Sequence, residues 1–125
     1  MSSTYKINYL VTGIDDTPAL RAYVDTKIAM LEKYLTHYAG ETKEMLFDVE
    51  VGKTTDHHRK GMVYRAEINF TAGSVHLRSE SVQDALFPAI DEAKDEMDHE
   101  LRKTKTKSID TARRGARKLK DNLRN

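Results

Sequence analysis

Positive charge is the chemical resource this sequence concentrates most. From Arg102 to the last residue there are ten basic side chains: Arg102, Lys103, Lys105, Lys107, Arg113, Arg114, Arg117, Lys118, Lys120 and Arg124. Only Asp110 and Asp121 oppose them, a net of +8, whereas the first 101 residues hold eleven bases and eighteen acids, a net of −7. The overall charge of +1 therefore hides a basic arm on an acidic body. Such an arm suits a polyanion, most often nucleic acid; the bland alternative is a solvated tail with no partner. Each phosphate neutralised would release counterions, so affinity should fall with salt by a log–log slope of about −0.7 to −0.9 per contact. Arginine can grip a phosphate with two bonds or stack on a base, while lysine acts as a point charge. Arg113, Arg114, Arg117 and Arg124 are thus the candidates for shaped contacts.

Other chemistry is poorly represented. Asp56-His57-His58 is the nearest thing to a metal site, but adjacent histidines in a strand point to opposite faces and no Cys or third His is close in sequence. The acids from Asp91 to Glu100 imitate paired carboxylates, yet they follow a helix surface without a nucleophile or a glycine-rich phosphate loop, so a solvated helix face is the expectation. No Ser-His-Asp or Cys-His set can be assembled, and no enzyme activity, cofactor, metal or small-molecule substrate is implied. Cysteine is absent, which excludes disulfides and zinc-thiolate sites. No stretch approaches the roughly 20 apolar residues of a membrane helix, and the opening residues lack a secretory layout. A soluble cytoplasmic protein, monomeric when free and with no membrane partner, is expected.

The elements that must carry the cations follow from periodicity. Tyr5, Ile7, Tyr9 and Val11 alternate with Lys6 and Asn8 as a strand with one buried face, although Leu10 breaks the polar side. Thr17 before Pro18 is a helix start, because the hydroxyl accepts from a free N–H and proline at the first helical position loses no bond. Leu20, Val24, Ile28, Leu31 and Leu35 then form one apolar stripe, with Gly40 as the stop. Met45 to Val51 and Met62 to Phe70 alternate as two further strands, separated by a loop over 52–61. Ala72-Gly73-Ser74 reads as a tight hairpin turn into a strand with Val75 and Leu77 inward and His76, Arg78 and Glu80 outward. Ser81 opens the second helix region, with Asp84 three residues on. Leu86, Ile90, Ala93, Met97 and Leu101 are its stripe, and Pro88 predicts a later start or a kink. The order β-α-β-β-β-α predicts an α+β fold, a four-stranded sheet with both helices on one face. The first β-α-β step is a right-handed crossover between parallel strands. The expected division is an α+β domain over 1–107 and a flexible basic tail over 108–125.

Two stretches carry a resemblance. Thr17-Pro18-Ala19-Leu20-Arg21-Ala22-Tyr23-Val24, then Lys27 and Leu31-Glu32-Lys33-Tyr34, resembles the first helix of the ribosome hibernation-promoting factor and ribosome-associated inhibitor A family. Ala89-Ile90-Asp91, followed by Leu101-Arg102-Lys103-Thr104-Lys105-Thr106-Lys107, resembles the family's second helix and closing basic run, and Ala66, Gly73, His76 and Gln83-Asp84 fall at fitting intervals. The resemblance covers roughly residues 5 to 107 and is to the family's short form. It implies the same fold, the small ribosomal subunit and its ribosomal RNA as partner, and translation blocked by occupying the channel of messenger and transfer RNA. Lys27 matches a basic position of that family. Arg21, Lys27, Arg65, Arg78, Arg102, Lys103, Lys105, Lys107, Arg113, Arg114 and Arg117 are accordingly the candidate RNA-binding residues, although for Arg65 and Arg78 pairing with Glu67 and Glu80 across the strands is the favoured reading. A general RNA-binding or RNA-chaperone module is the alternative, and a protein adaptor using the acidic helix a third.

Overall fold

A computed structural model describes residues 5–38, 44–54 and 63–123, with side chains as far as Thr104. The described elements are β1 (Tyr5–Thr12), α1 (Pro18–Ala29), a 3-10 segment (Glu32–His37), β2 (Met45–Lys53), β3 (Tyr64–Ala72), β4 (Val75–Gln83) and α2 (Leu86–Leu123). The strands form one sheet in the order β1-β2-β3-β4, with β1 parallel to β2 and the other neighbours antiparallel. The period-2 pattern decides which face is covered. Met45, Phe47, Val49 and Val51 are buried, and register sets Ala72, Phe70, Ile68 and Ala66 of β3 opposite them. Leu20, Val24 and Ile28 of α1 and Ala89, Ile90, Ala93, Met97 and Leu101 of α2 complete the same core. The expected α+β architecture is the observed one.

Local chemistry explains the boundaries. Thr17 Oγ1 accepts from the Leu20 N–H at 3.1 Å and Pro18 occupies the first turn, as read from the sequence. The single long stripe expected to Leu35 is instead two pieces. After Ala29 the chain tightens to 3-10 pairing, with Tyr34 N–H bonded to Leu31 O and Tyr38 N–H to Leu35 O. The change of period turns Tyr38 into the core, where its hydroxyl donates to Leu101 O at 2.7 Å. Ser81 does not open the second helix: β4 runs to Gln83, with Ser79 and Ser81 buried on its inner face. Ser79 donates to Ala93 O at 2.8 Å, so a hydroxyl at this inward position bonds to the helix above it. Pro88 causes no break because α2 starts at Leu86, with Ala85 O accepting from Ala89 N–H. Proline thus falls in the first turn, where its missing N–H has no intrahelical partner. The turn between β3 and β4 needs Gly73, which sits at φ +58°. The helix stop at Gly40 and the Asp56-His57-His58 stretch lie outside the described residues.

α2 is longer than its apolar stripe. Its backbone continues through Lys107 to Leu123, so the expected boundary between 107 and 108 does not coincide with an end of the helix.

Gly52 on β2 is opposite Thr12 of β1, and a Cβ added there would lie 2.0 Å from the Thr12 carbonyl oxygen. The obstacle is backbone, so the strand pair must move apart to accept it. Gly52→Ala is expected to lower stability by about 1–3 kcal/mol, the usual range for overpacking, read as a shifted urea midpoint with an unchanged slope.

Candidate nucleic-acid interface

The candidate cations fall into three groups, and carboxylates already engage the first two. On α1, Arg21 makes a two-point bond to Asp16, at 2.8 and 2.9 Å, and its guanidinium lies 4.7 Å from the centre of the Tyr9 ring. Lys27 faces α2 rather than solvent. Its ammonium is 3.1 Å from Asp91, its side chain is only 20 % exposed, and Tyr23 donates to the same carboxylate at 2.5 Å. The two stretches that carry the sequence resemblance therefore meet here, Lys27 from one and Asp91 from the other. Asp91 holds its proton less readily than a free carboxyl. Burial acts to raise its pKa, but hydrogen bonds from Tyr23 and Lys27 and the charges of Lys27 and Lys94 outweigh it. The bond to Asp91 in turn raises the pKa of Lys27.

Arg65 and Arg78 lie on the open face of the sheet. Register places Glu50, Glu67 and Glu80 directly opposite one another across β2, β3 and β4, an arrangement that is destabilising unless cations intervene. Arg65 bonds Glu67 and Glu80 at 2.8 Å each and lies 3.6 Å from Glu50. Arg78 reaches Glu67 at 2.5 Å and Glu80 at 2.8 Å. Burial would raise the pKa of Glu67, but hydrogen bonds from Arg78 and Asn69 and the two guanidinium charges bring it below the usual carboxylate range. Both arginines are engaged with carboxylates, as the cross-strand alternative had it.

The third group is on α2. Arg102 bonds Asp98 at 2.7 Å and Lys103 approaches Glu100 at 3.5 Å, yet both remain more than half exposed. Lys105, Lys107, Arg113, Arg114 and Arg117 follow on the same helix, together with Lys118 and Lys120. A helix keeps these charges on a rod rising 1.5 Å per residue, long enough to follow a phosphate backbone. Among the described residues no group of His, Cys, Asp and Glu is placed to hold a metal, and no helix is long and apolar enough to cross a membrane.

The acidic stretch of α2 is only partly the solvated face expected. Asp91 and Asp98 point back to α1 and the 3-10 segment, where Tyr23 and Tyr34 donate to them. Glu92, Asp95 and Glu96 are exposed. Tyr5 and Tyr9 likewise donate to Glu32 and Asp25. These tyrosines escaped the sequence reading because their carboxylate partners lie 16 to 68 residues away. Aromatic surface for base stacking is scarce: Phe87 is the exposed aromatic among the described residues, and it packs on Tyr23.

Fold and site together define a small α+β domain whose long second helix is rich in Lys and Arg after Leu101. The family model for the Sigma 54 modulation protein / S30EA ribosomal protein matches residues 7–109, and the chain belongs to that family. It is 32 % identical over 103 residues to the ribosome hibernation promotion factor of Bacillus subtilis and 28 % identical over 102 residues to that of Lactococcus lactis. Each alignment covers 81–82 % of this chain but 50 % of the relative, so the chain spans about half the length of these proteins. The Protein Y N-terminal domain of Thermus thermophilus superposes with a TM-score of 0.60 at 27 % identity, covering 78 % of this chain and 97 % of that one. A ribosomal subunit interface protein of Coxiella burnetii shares the fold at 15 % identity and a TM-score of 0.57, covering 82 % and 98 %.

Asp91→Asn should loosen α1 from α2. Asp91 is 42 % exposed, so the loss at neutral pH is about 1 kcal/mol once solvent screening is allowed for. The carboxyl's folded pKa is depressed below 3.8, so its contribution is complete above that value and lost as pH falls through the folded value. The gap between wild type and variant in thermal melts is therefore expected to be full at pH 7 and to close in acid below about pH 4.

Proposed function

We propose that this chain is a ribosome-associated translation inhibitor of the hibernation type. It binds the small ribosomal subunit in the channel of messenger and transfer RNA, and it inhibits by excluding both. Membership of the family and the names of its relatives support this reading. The observation that carries it is the placement of cations. From Arg102 to Leu123, α2 bears nine Lys/Arg against Asp110 and Asp121, on a helix that extends past the stripe packed on the sheet. Arg65 and Arg78, held by three glutamates, lend support to the sheet and stay off the RNA. Lys27 and Arg21 act in the same way, as ties within the body. Contact is with phosphates and with the shape of folded ribosomal RNA rather than with base sequence, because little aromatic surface is exposed. The protein works in the cytoplasm, where ribosomes are, without a cofactor and without catalysis.

Reversing Arg102, Lys103, Lys105 and Lys107 together to Glu is expected to abolish co-sedimentation with small subunits at low salt. The wild-type chain should bind saturably and compete with transfer RNA. Its log–log salt slope should reflect about 0.7–0.9 per phosphate contact. Equal affinity of the wild type for small subunits and for unrelated duplex RNA would instead favour a general RNA-binding module, and unchanged occupancy by the reversed chain would remove the physical basis of the reading.

A further inference from the structure

The starts of α1 and α2 border one cleft at the end of the sheet. Gly13, at φ +70°, turns the chain out of β1 toward it. The cleft has a volume of about 440 Å³, and Ile14, Leu20, Tyr64 and Leu86 give it an apolar lining. Phe87 forms one wall; its ring lies 4.3 Å from that of Tyr23, yet the residue is still 46 % exposed.

Two exposed carboxylates, Asp15 and Asp84, complete the lining. Neither has a hydrogen-bond or ion-pair partner among the described residues. The acids near them differ: Asp16 is held by Arg21, and Glu92 accepts from Gln83 Nε2. Lys53, the described cation at this end of the sheet, has its ammonium 5.8 Å from the centre of the Tyr64 ring and pairs with neither aspartate. Helix capping does not occupy the two carboxylates. Thr17 caps α1, neither helix has an acid in its first turn, and the favourable effect of an acid on a helix start falls off beyond that turn.

An apolar recess beside unpaired carboxylates selects two halves of one ligand. An apolar side chain enters the recess, and an adjacent cation meets a carboxylate where apolar walls reduce screening by water. Lys and Arg suit this, because their stems lie along apolar surface while the charged head reaches outward. The same carboxylates repel a phosphate backbone, so the partner is a protein. We infer that this cleft docks a protein segment in which an aliphatic or aromatic side chain is flanked by Lys or Arg. The apolar side chain packs against Phe87, and the flanking cations pair with Asp15 and Asp84. The site is separate from the cationic run of α2: Arg102 lies roughly 24 Å along the helix from Leu86 at 1.5 Å per residue. Peptide and polyanion can therefore be held at once.

Titration of the isotope-labelled full chain with the peptide acetyl-Gly-Arg-Leu-Lys-Gly-amide at low salt, followed by amide chemical shifts, tests this. Saturable shifts are expected at Ile14, Ala19, Leu86 and Phe87. Combining Asp15→Asn with Asp84→Asn should raise the dissociation constant roughly tenfold, and a peptide with serine in place of leucine should bind more weakly than the parent. A chain carrying Asp15→Lys and Asp84→Lys should take up acetyl-Gly-Glu-Leu-Glu-Gly-amide, which the wild type ignores; such a gain cannot come from misfolding. Absence of saturable shifts, shifts elsewhere on the body, or equal wild-type binding of the Glu-flanked peptide would each overturn the inference. So would an Asn double variant that binds as tightly as wild type, or free arginine bound as tightly as the peptide. Arg102 to Lys107 are untouched in these variants, so co-sedimentation with small subunits scores the ribosomal reading separately.

Discussion

The attachment of the first half of α2 to the rest of the body is the constraint on which the other features depend. Apolar burial supplies most of it, through Ala89, Ile90, Ala93, Met97 and Leu101, all nearly inaccessible. Polar ties fix its position: Tyr23 and Lys27 to Asp91, Tyr34 to Asp98, Tyr38 to Leu101 O, and Ser79 to Ala93 O. These bonds occur along the helix from 91 to 101, where the apolar stripe also ends. Beyond Leu101 the composition of the helix turns to Lys and Arg.

This division makes the acidic part of the helix compatible with the proposed nucleic-acid partner. Asp91, facing α1, and Asp98, facing the 3-10 segment, receive tyrosine hydroxyls, and Asp91 an ammonium as well, so they stabilise the body. Apart from Lys94, the cations of α2 begin where those acids stop, at Arg102. The open sheet face follows a similar economy. Three glutamates aligned across β2, β3 and β4 are held by two arginines, and the network engages both guanidinium groups of that face.

The match to the family model covers both the packed half of α2 and its first cations, to residue 109. The chain spans about half the length of the curated relatives, whereas the match to the Protein Y N-terminal domain covers 97 % of that domain and 78 % of this chain. Past residue 109 the chain continues as helix and carries more positive charge.

The sequence by itself determined the element order, the buried face of every strand and the stripe of each helix, because period 2 and period 3.6 are written in consecutive residues. It also determined the split of charge, which needs only counting, and the start of α1, where Thr17 and Pro18 act on their nearest neighbours. Tertiary structure decided what local pattern cannot express. Leu31 and Leu35 kept the helical spacing while the backbone tightened to 3-10, since burying Tyr38 against Leu101 outweighed continuing the helix. Ser81 looked like a cap and became a strand residue because β3 offered a full-length antiparallel partner. Arg65, Arg78 and Lys27 had open roles until register and helix packing set carboxylates within bonding distance of each; those acids lie 2 to 64 positions away in the chain, and only folding brings them near.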